Sequence, residues 1–131
     1  MENKELLVHA KKAMKYAYAP YSHFQVGAAV VAKDGRVFTG CNVENGSYGA
    51  TCCAERTALF KAVSEGVRLF EKIAIVSSAG GLTSPCGICR QVLCELMPEG
   101  EVILEDEQEE AKAFSVKELL PMGFTLEQKE E

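Results

Sequence analysis

Short apolar stretches alternate with amphipathic ones through the middle of the chain, and this alternation constrains the fold more than any other feature of the sequence. Apolar residues that run together predict buried strands, here at 24–32, 36–43, 73–77 and 102–104. Apolar residues every three or four positions, or an opening cap, predict helices, here at 4–18, 53–65, 84–97 and 115–120. Since strands and helices alternate, and a tight turn at 33–35 makes a hairpin of the first two strands, we expect an α/β protein with a mixed sheet.

Length and charge limit what such a fold can do. A chain of 131 residues suits one compact domain, expected over 1–131 with a frayed, solvated tail at 127–131. The net charge is −5, so there is no basic surplus to attract a phosphate backbone. The first residues mix charged with apolar side chains, unlike a signal peptide, and no apolar run approaches the roughly 18 residues of a membrane span. We therefore expect a cytoplasmic protein that binds neither nucleic acid nor membrane.

Six cysteines lie in clusters, which in a reducing compartment favours metal binding or redox chemistry over structural disulfides. Cys53 is predicted in the first turn of one helix, and Cys86 and Cys89 in the first turns of another, which Ser84 would cap. Helix N-termini favour thiolates, and in a βαβ unit they lie at the same end of the sheet. Three thiolates without an obvious fourth ligand predict a tetrahedral zinc site with one open position.

The other cysteines and both histidines lack ligand spacing to this group. Cys41, Cys52 and Cys94 are interpreted as small, buried hydrophobic residues. His9 and His23 are interpreted as non-catalytic.

Two charged residues follow Cys53 on the same predicted helix. Glu55 is either a solvated helix residue or, beside an open zinc site, the general acid/base for a water molecule. Arg56 is either a surface charge or a donor to the sulfurs, which would withdraw the excess negative charge of zinc with three thiolates. The residues alone leave both alternatives open.

The motifs Cys53-Ala54-Glu55 and Pro85-Cys86-Gly87-Ile88-Cys89 together resemble those of the zinc deaminases. The wider sequence resembles the small, homotetrameric cytidine deaminases over nearly the whole chain. The matching segments are YAPYSHFQVGAA (18–29), GCNVEN (40–45), CAERTALFKAVSEG (53–66), SPCGICRQ (84–91) and VKELLP (116–121). The resemblance implies a three-layer α/β/α fold around a five-stranded mixed sheet.

The resemblance also implies an activity: zinc-dependent hydrolytic deamination of cytidine and 2′-deoxycytidine, as in pyrimidine salvage. Cys53, Cys86 and Cys89 would hold one zinc ion per subunit. Glu55 would be the proton shuttle, and Arg56 would act electrostatically on the sulfurs.

The residues implied to bind the nucleoside come from several segments. Asn42 and Glu44 match the pair that hydrogen-bonds the sugar, and Phe24 matches an aromatic residue beside the nucleoside. Tyr48 and Phe124 match residues that approach the pocket from neighbouring subunits of a homotetramer. The full implied set is Phe24, Asn42, Glu44, Tyr48, Ala54 and Phe124.

Three alternatives remain open on the sequence. A thioredoxin-like oxidoreductase would use Cys86 and Cys89 as a redox pair, but it leaves Glu55 unexplained. A structural zinc module would need a fourth protein ligand. Deaminases of nucleoside antibiotics, of free cytosine or of polynucleotides share the zinc motif, although Asn42 and Glu44 favour a ribose-bearing substrate and the acidic chain disfavours polynucleotides.

Overall fold

A five-stranded mixed sheet forms the middle layer of the protein, and the computed structural model describes residues 1–128. The strands are β1 (Val26–Ala32), β2 (Val37–Cys41), β3 (Phe70–Ser77), β4 (Glu101–Glu105) and β5 (Ala111–Ser115). Their order across the sheet is β2-β1-β3-β4-β5. β3 and β4 pair in parallel, and the other neighbours pair antiparallel. The predicted hairpin and mixed sheet are confirmed.

Helices cover both faces of this sheet. They are α1 (Asn3–Met14), α2 (Ala54–Ser64), α3 (Gly87–Leu96) and α4 (Val116–Leu119). Successive residues of a strand point to opposite faces, so Ala29 and Val31 of β1 meet α1 while Ala28 and Val30 share a core with α2 and α3. Because both faces of β1 are buried, its sequence is apolar throughout. This arrangement is the implied three-layer α/β/α fold.

The topology brings the N-termini of α2 and α3 to one end of the sheet. A short connection joins α2 to β3, so α2 runs antiparallel to that strand and begins where β3 ends. α3 lies in the crossover between the parallel strands β3 and β4, so it also begins beside the end of β3. Any side chains at these two helix N-termini are therefore neighbours.

A glycine sets how closely α2 lies on the hairpin. A Cβ at Gly40 of β2 would stand 2.5 Å from the main-chain nitrogen of Ala58 and 2.8 Å from the carbonyl oxygen of Ala54. Both atoms belong to the α2 backbone, so a side chain at position 40 has no room. α2 can pack this closely against β2 because Gly40 has no side chain.

Two predicted helix boundaries are wrong. α1 ends at Met14 rather than at 18, because the chain beyond it turns to form a parallel bridge between Tyr18 and Val43. α3 begins at Gly87 with Cys86 as its N-cap residue, so Ser84 does not cap it. The Ser84 hydroxyl oxygen instead accepts a hydrogen bond from Arg90 Nη2 at 3.1 Å.

The C-terminal part of the chain holds one strand that the apolar pattern did not predict. β5 pairs with β4 at the edge of the sheet and is largely exposed, so it lacks the apolar run of a buried strand. After it, the Ser115 hydroxyl oxygen accepts a hydrogen bond from the Glu118 amide at 3.1 Å, as predicted for the helix cap. Of the predicted tail, 127 and 128 lie outside helix and strand, and 129–131 lie outside the described residues. Within residues 1–128, no helix combines the length and the apolar character that crossing a membrane requires.

Candidate metal centre and active site

Three cysteine sulfurs meet where α2 and α3 begin. Cys53 is the N-cap residue of α2, Cys86 is the N-cap residue of α3, and Cys89 is buried in the first turn of α3. Their sulfurs all lie within 4.8 Å of one another, and the Cys53 and Cys86 sulfurs are 3.7 Å apart. The predicted convergence is confirmed, although Cys53 and Cys86 stand one position before the helical turns in which the sequence placed them.

The chemistry of this sulfur group fits a divalent cation. A hydrogen bond from Cys89, and next to it one from Arg56, lower the pKa of the Cys53 thiol to about 5 against the opposing effect of burial. The shared hydrogen bond with Cys53, together with burial, raises the pKa of the Cys89 thiol. Because a first thiolate disfavours a second one beside it, these neighbouring thiols lose their protons one at a time unless a bound cation compensates the negative charge. No fourth Cys, His, Asp or Glu from residues 1–128 joins the group, so a tetrahedral zinc ion bound here would keep one open position.

Arg56 lies against the sulfur group from the first turn of α2. Its Nη2 donates a hydrogen bond to the Cys53 sulfur at 3.2 Å, and this interaction raises the pKa of the guanidinium. Its Nε is buried and has no hydrogen-bond partner among the described residues. The geometry fits the predicted contact with a ligand sulfur and excludes a simple surface charge.

Glu55 is buried beside the same group. Glu55 is only 4% exposed, so the interpretation as a solvated helix glutamate is excluded. Burial, and after it the nearby charge of Cys53, raise the pKa of the Glu55 carboxyl. A carboxyl held in this environment is suited to accept and return a proton.

The side chain of Asn42 bonds the main chain at the start of β1 and in the loop before it. Its Oδ1 accepts a hydrogen bond from the Val26 amide at 2.9 Å, and its Nδ2 donates one to the Phe24 carbonyl oxygen at 2.8 Å. Asn42 is buried, at 8% exposure. Beyond the end of β2, its side-chain amide makes the hydrogen bonds that the main chain of a neighbouring strand would otherwise make. Asn42 thus fixes the main chain on both sides of Gln25.

Glu44 holds the adjoining loop. Its Oε1 accepts hydrogen bonds from the amides of Tyr21 at 3.0 Å and Ser22 at 3.1 Å, and its Oε2 accepts one from the Ser22 hydroxyl. The bond from the Ser22 hydroxyl lowers the pKa of the Glu44 carboxyl. A groove of about 310 Å³ is lined partly by Tyr21, Glu44 and Tyr48, so the predicted sugar-binding carboxylate borders open space.

The other predicted nucleoside-binding residues differ in exposure. Tyr48 is in a 3₁₀ turn (Tyr48–Ala50), 78% exposed, and its ring meets that of Tyr21 edge-on at 6.4 Å. Phe24 is partly exposed and Phe124 largely exposed. Ala54 is fully buried, main chain included. Tyr48 and Phe124 thus project from the surface of the single chain.

The remaining cysteines are not buried as predicted. Cys41, Cys52 and Cys94 are each partly exposed, because they lie at the margins of packed layers. Cys41 ends the edge strand β2, and the Cys52 sulfur accepts a hydrogen bond from the Thr57 hydroxyl at 3.5 Å. Every one of the six cysteines is free.

Two further residues organise the site, although neither belongs to the predicted metal-ligating or nucleoside-binding sets. Ser22 bonds Glu44, and Arg90 bonds the segment that leads to Cys86. The spacing of four between Cys86 and Arg90 places them one helical turn apart, which is the signal that could have identified Arg90. The Ser22 contact joins positions 22 apart and has no local signal.

Comparison with known proteins agrees with this geometry. Residues 1–105 match the family described as the cytidine and deoxycytidylate deaminase zinc-binding region. The cytidine deaminase of Halalkalibacterium halodurans is 51% identical over 128 residues, covering 97% of each chain. That of Sporosarcina psychrophila is 48% identical over 131 residues, covering 97% of this chain and 94% of the relative.

Solved structures show the same similarity. The crystal structure of cytidine deaminase from Burkholderia pseudomallei superposes with a TM-score of 0.90 at 51% identity, covering 95% of this chain and 100% of that one. The cytidine deaminase from Mycobacterium tuberculosis superposes with a TM-score of 0.84 at 40% identity, covering 96% and 99%.

Proposed function

This chain belongs to the cytidine and deoxycytidylate deaminase family, and from this premise we propose that it hydrolyses cytidine and 2′-deoxycytidine to uridine and 2′-deoxyuridine with release of ammonia. The observation that carries the proposal is the buried Glu55 carboxyl beside three convergent cysteine sulfurs. A metal-binding module without catalysis gives no use to that carboxyl, whose burial is unfavourable unless it is protonated or paired.

Cys53, Cys86 and Cys89 would hold the zinc ion. When bound there, zinc supplies the Lewis acidity that makes a water molecule a good nucleophile near neutral pH. Arg56 contributes by donating a hydrogen bond to the Cys53 sulfur, which withdraws negative charge from a ligand set that outweighs the charge of the ion.

Glu55 would carry the protons of the reaction. One of its carboxylate oxygens accepts a proton from the attacking water as the bond from oxygen to C4 of the cytosine ring forms. Glu55 returns that proton to ring N3. It then takes the second proton from the oxygen now bonded to C4 and passes it to the departing amine, as the C4–N bond breaks and the C4 carbonyl forms. Water is consumed and ammonia leaves, so no further reactant is needed.

Asn42 and Glu44 would bind the sugar 3′-hydroxyl, with Phe24 beside the nucleoside. Their internal hydrogen bonds support this role, because they fix the two side chains before a ligand arrives. Binding energy from the sugar then orients the ring for attack, so a free base should react poorly. Ala54, the first residue of α2, completes the proposed nucleoside-binding set.

A homotetramer is part of the proposal, with Tyr48 and Phe124 reaching the sites of neighbouring subunits. Their exposure supports it, because aromatic side chains that project from the surface are frequent at interfaces. A role in cytoplasmic pyrimidine salvage completes the proposal, and the free state of all six cysteines is consistent with a reducing compartment.

The direct test measures ammonia release from cytidine and zinc content on the same purified sample. We expect turnover with about one zinc ion per chain, since three ligands converge on one point. Zinc without turnover of cytidine or deoxycytidine would contradict the proposal and leave a metal-binding module. A reducible disulfide between Cys86 and Cys89 without zinc would instead favour the oxidoreductase.

A further inference from the structure

Arg90 joins the segment before Cys86 to the C-terminal part of the chain. It lies in α3 and is partly buried, and its three guanidinium nitrogens bond three different acceptors. Nε donates to the Pro85 carbonyl oxygen at 2.7 Å, Nη2 to the Ser84 hydroxyl at 3.1 Å, and Nη1 to the Leu119 carbonyl oxygen at 2.8 Å. A planar guanidinium offers these donors in fixed directions, so it sets the relative positions of its acceptors.

Two of these contacts hold Ser84 and Pro85, the two residues that precede the predicted metal ligand Cys86. The Arg90 main-chain amide also donates to the Cys86 carbonyl oxygen at 2.9 Å, so one residue bonds three consecutive positions, 84 to 86. Cys86 is exposed, whereas Cys89 is buried in the core. Packing therefore holds Cys89 in place, and Cys86 depends more on the main chain that precedes it.

The third contact ties this segment to α4. Leu119 is the last residue of α4, and a carbonyl oxygen at a helix C-terminus has no partner within its own helix. The next residue along α3 repeats the connection, since Gln91 Nε2 donates to the Phe124 carbonyl oxygen at 2.9 Å. The start of α3 is thus braced against the segment that carries Phe124.

We propose that Arg90 is a positioning residue of the metal centre, which fixes the Cys86 sulfur by holding 84–86 against α4. The zinc ion is taken from the proposed function, but the inference concerns the retention and geometry of the metal rather than turnover. Arg56 acts on a ligand sulfur, whereas Arg90 acts on the main chain that places one.

The test compares variants of the full chain. Arg90→Met removes all three side-chain donors and keeps an apolar stem, while Arg90→Lys keeps the charge and restores one donor. Arg68→Met is the matched control, because Arg68 Nη1 also bonds a carbonyl oxygen, that of Val63 at 2.7 Å, but at the far end of α2. For each protein we would time zinc transfer to a chromophoric chelator and record the absorption of the Co²⁺-loaded form, which reports the sulfur ligands.

We expect zinc release from Arg90→Met to be about tenfold faster or more, the usual effect of losing a group that orients a metal ligand. Arg90→Lys should fall between Arg90→Met and the unchanged protein, and Arg68→Met should match the unchanged protein. The cobalt spectrum should change in Arg90→Met and stay the same in Arg68→Met.

Zinc release from Arg90→Met at the control rate, with an unaltered cobalt spectrum, would overturn the proposal. If Arg90→Met does not fold, Arg90→Lys and Ser84→Ala decide: faster release from both supports the proposal, and unchanged release from both overturns it. A protein that holds zinc but does not deaminate cytidine would refute the proposed function and leave these metal measurements valid.

Discussion

Glu55 combines two properties that ordinary surface glutamates lack. It sits in the first turn of α2, where the helix dipole favours a negative charge, and it is buried, which disfavours one. The raised pKa of its carboxyl shows that burial is the larger effect. A buried carboxyl contributes little to stability, so its place beside the sulfurs supports the proposed role in proton transfer.

The substitution Glu55→Gln keeps the shape of this side chain and removes its ability to accept a proton. We expect about one zinc ion per chain and a loss of turnover of roughly 10²–10⁴-fold, the usual contribution of a general acid/base. Glu65→Gln, at the exposed end of the same helix, is the control and should keep full activity. Zinc content and ammonia release on both proteins provide the measurement, and near-normal turnover in Glu55→Gln would remove Glu55 from the mechanism.

Among the elements, α2 matters most because it carries Cys53, Glu55 and Arg56 and is held close to the hairpin at Gly40. The nearest atoms to a Cβ at this position are main-chain atoms of α2, which cannot rotate away as a side chain would. A side chain at position 40 would therefore have to displace the α2 main chain.

We expect Gly40→Ala to lower the free energy of unfolding by about 1–3 kcal/mol, because overpacking forces α2 away from the sheet. Gly49→Ala is the matched control, since a Cβ there has open space and the glycine has no positive φ. Its free energy of unfolding should stay within about 0.5 kcal/mol of the unchanged protein. Urea denaturation of both variants tests this, and equal stabilities would show that α2 tolerates the displacement.

The sequence predicted the elements whose signals are local. β1 and α2 were predicted from apolar runs and helical spacing to within two residues at each end. β5 was missed because an exposed edge strand has no apolar run, and α1 was extended too far because the bridge from Tyr18 to Val43 joins distant segments. The predicted start of α3 differs from the observed one because the Ser84 hydroxyl accepts a hydrogen bond from the Arg90 guanidinium and does not cap the helix.

The same distinction holds for the site. The three sulfurs could be predicted because each stands in a short motif at the start of a helix. The contacts of Asn42 with Val26, and of Arg90 with Leu119, join positions 16 and 29 apart, and only the folded chain brings them together.

For the whole molecule, the exposed aromatic residues near the site separate two possibilities. If Tyr48 completes the site of a neighbouring subunit, each site must combine residues from two chains. If it acts within its own chain, each subunit is independent. The high exposure of Tyr48 leaves its ring open to a neighbouring chain, as the first possibility requires, whereas its place beside Glu44 in one groove is what the second requires.

Mixing two defective chains tests this arrangement. Glu55→Gln lacks the proposed proton shuttle, and Tyr48→Ala lacks the aromatic side chain. If Tyr48 serves a neighbouring site, the two variants, dissociated and reassembled together, should give more activity than the sum of the two alone. The double variant Glu55→Gln/Tyr48→Ala mixed with Tyr48→Ala is the control and should give no gain. Mixed oligomers, confirmed by native mass spectrometry, that show no gain would place Tyr48 in the site of its own chain.

The positions of Cys53 and Cys86 have a consequence for chain entropy. The two residues are 33 positions apart, and all of α2 and β3 lies between them. A metal ion held by both sulfurs would close a loop of that length. If the cross-link persisted in the unfolded chain, the conformational entropy it removes would raise the free energy of unfolding by about 3–4 kcal/mol. Because the metal can dissociate, the restraint is reversible, and the stability of the folded chain rises with the concentration of free zinc. The ion proposed to activate water would thus also cross-link the starts of α2 and α3.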